Sequence, residues 1–383
     1  MFSSRLNWGA SENPLAKLLQ HKRATGEPIL DLTESNPTAA GFAYQEELLL
    51  AALADARVLR YEPHPAGLAA ARAAVATYYG NVSPDRIFLT ASTSEGYEFL
   101  FKLLADPGDE ILVPRPSYPL FEFLAALESV RPVQYPLTYE GRWWIDFDAL
   151  RRCITPRSRA IVLVNPNNPT GSFLKEQELS RLIALCREHQ LALISDEVFC
   201  DYILHSDGIV KSLTGVEDVL SFVLSGFSKV LGLPQMKLSW IVCGGPEFIR
   251  AQAMERLELI ADTYLSVGTP VQWAAERLLG WRSDIQGQIL ERVRDNRRFL
   301  SGRIGPTSPW RVLESEGGWY AVLQAPKIHS EEEWVLSLLR DDHVLVQPGY
   351  FFDFEKEAYL IVSLLTQPEV FRTGVDKILA RAR

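Results

Sequence analysis

Four groups of polar residues each follow a short apolar run of the kind that forms buried strands: Ser92, Thr93 and Ser94 after Thr90, Asn168 after Val164, Asp196 after Ser195, and Ser228 and Lys229 after Leu224. Taken singly, these residues fit helix caps, turns or solvated side chains. In open α/β sheets, however, ligands bind beyond the carboxyl ends of the strands. Their shared position therefore predicts that the four groups meet at one edge of a sheet.

Together these groups could perform one kind of chemistry. The amine of Lys229 could form a Schiff base with an aldehyde. The carboxylate of Asp196 could keep a pyridine nitrogen protonated and so deepen an electron sink. A helix N-terminus with hydroxyls, as at Ser92–Ser94, could hold a phosphate. These are the requirements of pyridoxal 5′-phosphate.

The elements that must position these groups alternate along the middle of the chain. The apolar runs predict strands over 87–90, 110–113, 159–164, 191–195, 219–224 and 238–243, with helices over 94–104 and 175–189. Continuous apolar strands separated by helices indicate an α/β domain with a mostly parallel sheet flanked by helices. The last third predicts helices over 249–260, 270–300 and 331–340 among short strands. We therefore expect a large domain over 45–265 and a smaller α+β domain formed by 1–44 and 266–383.

Composition excludes several classes of protein. A chain of 383 residues predicts two or three domains. Its net charge of −9, without a basic tract, argues against a nucleic-acid partner, and no apolar run is long enough to span a membrane. The first fourteen residues lack a secretory pattern. No pair among Cys153, Cys186, Cys200 and Cys243 has metal-ligand or redox spacing, which predicts free thiols, a cytoplasmic protein and no metal site.

Seven motifs occur in order along the chain: Tyr61-Glu-Pro-x-x-x-Gly67, Asp106-Pro-Gly-Asp109, Pro116-Ser-Tyr-Pro119, Asn165-Pro-Asn-Asn-Pro-Thr-Gly171, Ser195-Asp-Glu-Val198, Phe227-Ser-Lys229 and Gly317-Gly-Trp-Tyr320. In this order they resemble the class I and II aminotransferases, the fold-type I pyridoxal-phosphate enzymes. The resemblance runs from about Asp31 to the C-terminus. It implies an enzyme that moves an amino group between an amino acid and a 2-oxo acid.

The resemblance also implies a role for each catalytic position. Lys229 matches the Schiff-base lysine, whose freed amine then moves a proton as general base and acid. Asp196 matches the carboxylate that faces the pyridine nitrogen. Asn168 matches the residue that binds the phenolic oxygen of the ring, and Tyr118 matches the aromatic residue that stacks on the ring face.

The remaining matched positions concern the phosphate. Ser92, Thr93 and Ser94 match the phosphate-binding turn, where N–H groups and hydroxyls meet the helix dipole. Lys237 stands where an arginine often binds the phosphate, and a lysine is a less directional ligand there. Tyr61 matches a tyrosine that reaches the phosphate of the neighbouring subunit, which implies a homodimer with a shared active site.

Four further positions depart from the family pattern. Phe199 replaces a tyrosine that donates to the phenolic oxygen, and Gly226 replaces a serine that contacts the phosphate. Ser35 replaces the glycine before an Asn-Pro turn. Ile361 stands where an arginine usually clamps the substrate carboxylate.

The change at Ile361 leaves two interpretations open. In the first, another arginine (Arg115, Arg142 or Arg60) binds the carboxylate. In the second, the protein catalyses another pyridoxal-phosphate reaction, such as β-elimination, decarboxylation or amino-acid cyclisation. A non-catalytic protein that keeps the fold is a third, weaker interpretation. The tryptophans Trp143, Trp144 and Trp319 could line the pocket, but core positions are favoured.

Overall fold

The computed structural model describes residues 2–6, 13–80, 82–356 and 358–381. Outside these residues lie 1, 7–12, 81, 357, 382 and 383. The excluded positions include part of the N-terminal segment that lacks a secretory pattern and short pieces of both expected domains. No helix in the described ranges is long and apolar enough to cross a membrane.

The strands of the described chain form three sheets. Their bounds are β1 Leu30–Asp31, β2 Ile87–Thr90, β3 Glu110–Arg115, β4 Arg131–Tyr139, β5 Trp143–Ile145, β6 Ser158–Val164, β7 Ala192–Asp196, β8 Ser221–Gly226, β9 Ser239–Gly244, β10 Arg311–Val312, β11 Tyr320–Gln324, β12 Val344–Leu345, β13 Gln347–Pro348 and β14 Tyr359–Ser363.

The helices surround these sheets. Their bounds are α1 Pro14–Ala24, α2 Glu46–Leu53, α3 Ala69–Tyr79, α4 Thr93–Leu104, α5 Phe121–Leu127, α6 Phe147–Cys153, α7 Glu176–His189, α8 Phe227–Val230, α9 Glu247–Tyr264, α10 Thr269–Gly280, α11 Arg282–Arg303, α12 Glu331–Asp341 and α13 Pro368–Ala380. Short 3₁₀ helices span Ser4–Leu6, Ala56–Leu59, Pro84–Arg86, Pro234–Met236 and Gly349–Phe352.

The large sheet has eight strands in the order β2-β9-β8-β7-β6-β3-β4-β5. The central run from β8 through β7, β6 and β3 to β4 is parallel, whereas β9 is antiparallel to both β2 and β8, and β5 is antiparallel to β4. Strands β7, β8 and β9 are buried along their whole length, because helices cover both faces of the sheet. The fold-type I architecture expected from the resemblance is therefore confirmed.

The smaller domain is built on an antiparallel sheet in the order β10-β11-β14-β13. One of its faces packs into an apolar core with α11, α12 and α13. The other face carries Val322 and Ile361, which pack with Trp143 of the large sheet. This second face therefore looks towards the large domain.

The prediction of a single helix over 270–300 is wrong, because the chain forms two helices there that meet at Trp281. Gly280 weakens helix propensity there, and the indole of Trp281 packs against the large-domain core. In α10, Val271, Ala274 and Leu278 are buried in that same core. We therefore propose that α10 packs as part of the large domain, although it follows the division expected at residue 266.

Candidate active site

Lys229 lies at the centre of the candidate site. It is in α8, which begins directly after β8. Its Nζ lies 4.8 Å from the ring centroid of Trp319 and 5.4 Å from that of Phe199. Burial lowers the pKa of the Lys229 amine to about 8, and the carboxylate of Asp196 partly opposes this shift. With this pKa the amine is mostly protonated at pH 7, and about half of the molecules carry it neutral near pH 8.

Asp196 ends β7 and is buried. Its Oδ2 accepts a 3.1 Å hydrogen bond from the hydroxyl of Tyr97, and its Oδ1 accepts one of 3.2 Å from the backbone N–H of Val198. Burial raises the pKa of the Asp196 carboxyl to about 6, and these two hydrogen bonds limit the rise. The carboxylate is thus held in a fixed orientation and is charged at pH 7.

The turn that contains Ser92 forms the N-terminus of α4. The side chain of Ser92 caps the helix by accepting a 3.1 Å hydrogen bond from the N–H of Glu95. The carboxylate of Glu95 accepts in turn from the N–H of Ala91. Thr93 and Ser94 occupy the first helical turn. Their backbone N–H groups are among the first of α4, which have no intrahelical partner, and such groups can bind an anion.

Asn168 lies in the loop that follows β6 and is buried. Its side-chain oxygen is buried and has no hydrogen-bond partner among the described residues. A buried polar atom without a partner costs about 1–3 kcal/mol. The Asn168 loop is held against the small domain at Gly171, where a Cβ would lie 2.3 Å from the carbonyl oxygen of Gly317. The side-chain NH2 of Asn168 can donate a hydrogen bond, as the phenolic oxygen of a bound ring would require, whereas the unpartnered oxygen can only accept one.

Two tyrosines, Tyr118 and Tyr320, are close enough to influence each other electrostatically. The burial of Tyr118, together with the negative charge of Asp196, raises the pKa of the Tyr118 hydroxyl. Burial raises the pKa of Tyr320 to about 12, while a hydrogen bond with Ser35 lowers it and nearby Tyr118 raises it. Tyr118 is therefore near both the carboxylate of Asp196 and the small-domain residue Tyr320.

Two of the expected cofactor residues are exposed on the described chain. Tyr61 is 79% exposed. Lys237 is exposed and left-handed, with φ of 50°, and it precedes β9. Neither forms an ion pair or a side-chain hydrogen bond within the described residues. Their roles towards a phosphate stay predictions.

The position that lacks the expected arginine is apolar. Ile361 is fully buried with Trp143, Val322 and Phe352. Among the three alternative arginines, Arg115 forms an ion pair with Glu355. The other two are Arg142, which lies 3.9 Å from Glu316, and Arg60, which is exposed with no ion pair in the described ranges.

Sequence reasoning missed two residues of this site. Tyr97 is four residues after Thr93 and so lies on the same face of α4; that spacing could have identified it. Tyr320 was noted only within a motif. Trp319 was placed in the core, and it is indeed fully buried, but its ring also lies beside the Lys229 amine.

Comparison with known proteins identifies the family of the chain. A sequence-family model described as aminotransferase class I and II matches residues 25–378. The chain therefore belongs to this family, whose members depend on pyridoxal phosphate. It is an aminotransferase, which transfers an amino group between an amino acid and a 2-oxo acid.

Among its relatives is the glutamate-pyruvate aminotransferase AlaA of Escherichia coli K12, which is 29% identical over 353 residues, covering 89% of this chain and 87% of the relative. The alanine aminotransferase of Mycobacterium tuberculosis H37Rv is 29% identical over 368 residues, covering 93% and 86%. The solved structure of alanine aminotransferase from Pyrococcus furiosus superposes with a TM-score of 0.88 at 25% identity, covering 100% of this chain and 99% of that one.

Proposed function

We propose that the residues around Lys229 form the active site and that Lys229 is the lysine that binds the cofactor covalently. The observation that carries this proposal is the pairing of a desolvated amine, whose pKa is lowered to about 8, with the buried carboxylate of Asp196. A lysine activated by burial is the usual requirement for a nucleophilic amine. The buried amide of Asn168, whose oxygen has no partner among the described residues, is a further polar group available to a ligand.

The bound cofactor supplies an aldehyde that takes up the amino group and an electron sink for charge at the substrate Cα. Asp196 holds a proton on the pyridine nitrogen, and Tyr97 fixes the direction of the carboxylate. The Lys229 amine takes the proton from the substrate Cα and returns it, which its pKa near the working pH permits. The rings of Phe199 and Trp319 exclude water around that amine.

Reductive labelling tests the assignment of Lys229. The holoenzyme is treated with borohydride, digested, and its cofactor-bearing peptide is identified by mass spectrometry. We expect the label on Lys229 and no label in Lys229→Arg, while Lys237→Arg remains labelled at 229. A label on Lys237 or on any other lysine would refute the assignment.

We propose glutamate, alanine and their 2-oxo acids as the substrates, because the relatives that match most of the chain are named for glutamate-pyruvate or alanine transamination. Single-turnover spectra with a panel of amino acids test this proposal. Glutamate and alanine should convert the cofactor to its amino form once, and pyruvate or 2-oxoglutarate should restore it. Conversion by aspartate or aromatic amino acids alone would contradict the proposed specificity.

A second candidate function is another pyridoxal-phosphate reaction, and the buried Ile361 is the observation that favours it. The same experiment separates the two. Continuous release of ammonia, carbon dioxide or a cyclised product without an oxo acid would favour a lyase, decarboxylase or cyclase activity.

We propose that the hydroxyls of Tyr320 and Ser35 orient the substrate carboxylate in place of the missing arginine. The β11–β14 register pairs Tyr320 with Ser363 and Val322 with Ile361, so these side chains share the face that looks towards the large domain. Ser363 donates to the carbonyl oxygen of Glu34, which brings the Ser35 segment against this face.

Steady-state kinetics test this carboxylate site. Tyr320→Phe should raise KM for the amino acid about tenfold with a smaller change in kcat, because a hydrogen bond to a charged group is lost. Tyr139→Phe is the matched control, since its ring packs on the same apolar cluster while its hydroxyl accepts from the N–H of Glu314. An unchanged KM in Tyr320→Phe would contradict the proposed contact.

We propose that the enzyme is a homodimer whose active site includes Tyr61 of the partner subunit. Large apolar side chains are exposed on the segments around Tyr61 and at the end of α9, including Leu59, Leu259 and Leu265. Tyr61 and Leu265 line one shallow pocket. Exposed apolar groups in one region are typical of a subunit interface.

Subunit mixing tests the shared site. Lys229→Ala and Tyr61→Ala homodimers should each be nearly inactive. Mixed after partial unfolding, they should recover about a quarter of the wild-type activity, because half of the dimers are hybrids with one intact site. No recovery, combined with a monomeric mass by sedimentation, would contradict the proposal.

We infer a cytoplasmic location from the cysteines. All four are free, and Cys186, Cys200 and Cys243 are buried. Free thiols are typical of a reducing compartment. Fractionation of the source cells with an antibody against the chain tests this inference, and recovery in a secreted or membrane fraction would contradict it.

A further inference from the structure

The backbone conformation of Gly226 does not explain why a glycine occupies this position. It is extended, with φ of 176° and ψ of 172°, a conformation that any residue adopts. A Cβ on Gly226 would nevertheless lie 2.2 Å from Oγ and 2.8 Å from Cβ of Ser239. The side chain of Ser239 therefore occupies the space that a side chain at 226 would need.

Ser239 is the first residue of β9, which lies between β2 and β8. It pairs with Gly226 on one side and with Thr90 on the other. The residue is 2% exposed, and its hydroxyl makes no hydrogen bond to any residue that the structure describes. A nearly buried hydroxyl without a protein partner is available to a ligand.

The row formed by Thr90, Ser239 and Gly226 adjoins the N-terminus of α4. Thr90 donates a 2.9 Å hydrogen bond to the carbonyl oxygen of Ser92, the residue that caps α4. A Cβ on Gly96, in the second turn of α4, would lie 2.8 Å from the side chain of Leu224 and 3.8 Å from Oγ1 of Thr90. The start of α4 is therefore packed closely on the strands that carry Ser239.

We propose that Ser239 binds the phosphate of the cofactor and supplies, from β9, the hydroxyl that Gly226 lacks. This inference rests on the proposed phosphate position at the start of α4. The phosphate is a dianion that accepts hydrogen bonds from N–H and O–H donors. A hydroxyl on the neighbouring strand reaches the same space as one at 226, because paired residues of adjacent strands project to the same face of a sheet.

Cofactor affinity, measured with and without the phosphate, tests the proposal. Dissociation constants of the apoenzyme are measured for pyridoxal phosphate and for pyridoxal by fluorescence quenching. Ser239→Ala should weaken the binding of pyridoxal phosphate about tenfold, because one hydrogen bond to a charged group is lost, and should leave the binding of pyridoxal unchanged. Ser225→Ala is the matched control, since its buried hydroxyl donates to the carbonyl oxygen of Glu197.

Exchanging the two side chains gives a second, independent test. Gly226→Ser alone should weaken cofactor binding because the new side chain collides with Ser239. Ser239→Gly alone should weaken cofactor binding because the hydroxyl is lost. The double variant Gly226→Ser/Ser239→Gly should recover most of the affinity for pyridoxal phosphate. Recovery would support the proposal, since it shows that one hydroxyl is needed in that space and that either strand can carry it.

Two outcomes would overturn the proposal, and they are distinguishable. If Ser94→Ala weakens pyridoxal phosphate selectively but Ser239→Ala does not, the phosphate lies at α4 and Ser239 only fills space. If neither variant changes the ratio of the two affinities, the phosphate position proposed at the start of α4 is also wrong. Thermal unfolding of each apoenzyme confirms that the variants compared are folded.

Discussion

The hydroxyl of Tyr97 donates a 3.1 Å hydrogen bond to Oδ2 of Asp196, and both side chains are buried. This bond joins the helix that starts at the proposed phosphate turn to the carboxylate at the end of β7. The backbone N–H of Val198 holds the other oxygen. The direction of the carboxylate is thus set by the fold before any cofactor binds, which favours catalysis by preorganised charge.

Tyr97→Phe should make the enzyme more sensitive to acid. The Tyr97 hydrogen bond lowers the pKa of Asp196, which burial has raised to about 6. Without the bond, the pKa should rise by about one unit, so the carboxylate becomes protonated at a higher pH. When cofactor affinity is measured from pH 5 to 8, it should begin to fall at a higher pH in Tyr97→Phe than in the wild type.

The control for this change is Tyr135→Phe. The Tyr135 hydroxyl is equally buried and donates to the carbonyl oxygen of Val162, away from Asp196. Removing this hydroxyl should leave unchanged the pH below which cofactor affinity falls, which we call the acid limb. An acid limb that does not move in Tyr97→Phe would mean that Tyr97 does not tune Asp196.

The attachment of the cofactor should depend on the titration of Lys229. Only the neutral amine is nucleophilic, so the rate of attachment to the apoenzyme should rise with pH through about 8. The Asp196 carboxylate raises the pKa of Lys229, so Asp196→Asn should move this midpoint to a lower pH. Stopped-flow absorbance after mixing with pyridoxal phosphate measures the midpoint.

Asp201→Asn is the matched control for this shift. Asp201 accepts from the hydroxyl of Tyr78 and lies 3.5 Å from Lys211, and it does not contribute to the pKa of Lys229. The pH midpoint of cofactor attachment in Asp201→Asn should equal that of the wild type. A midpoint that moves upward in Asp196→Asn would contradict the electrostatic coupling between Asp196 and Lys229.

The ends of several strands of the large sheet could be predicted closely because their apolar runs are continuous and flanked by polar residues. The strand expected over 87–90 has the same bounds in the structure, and that expected over 159–164 gains only Ser158. Strand β4, Arg131–Tyr139, which is parallel to β3 and antiparallel to β5, escaped prediction because its burial is mixed. An edge-side strand with polar and apolar residues in no clear alternation gives a weak signal.

Prediction of the site was limited by contacts between distant residues. Asp196 and Lys229 come directly after strands, so their convergence could be inferred from strand ends alone. Ser239 could not be identified in this way, because a serine at the start of a strand has many ordinary explanations. Its significance depends on the space above Gly226, which only the pairing of β8 with β9 defines.

Phe199→Tyr should change how the bound cofactor titrates. The resemblance places a donor to the phenolic oxygen at this position, and the ring of Phe199 lies 5.4 Å from the Lys229 amine. A hydroxyl there would stabilise the deprotonated form of the cofactor. The pH midpoint of its visible absorption should therefore fall by about one unit.

The control for this variant is Phe199→Leu, which removes the ring without adding a donor. Its midpoint should not fall. Because Phe199 packs edge-on against Trp319 with centroids 5.1 Å apart, thermal unfolding of both variants is measured to show that the pocket is intact. A midpoint in Phe199→Tyr that equals or exceeds the wild-type value would contradict the prediction.

Ile361→Arg should destabilise the enzyme instead of restoring a carboxylate site. Ile361 is fully buried among apolar side chains that include Trp143 and Val322, and it is paired with Val322 across β11 and β14. A guanidinium placed there without a carboxylate partner should lower the free energy of unfolding by about 3 kcal/mol or more. Ile361→Leu, which conserves volume, should cost less than about 1.5 kcal/mol. Urea unfolding of the apoenzymes measures both values. A stable Ile361→Arg enzyme with a lower KM for glutamate would mean instead that this face opens onto the substrate and that the arginine position is still functional.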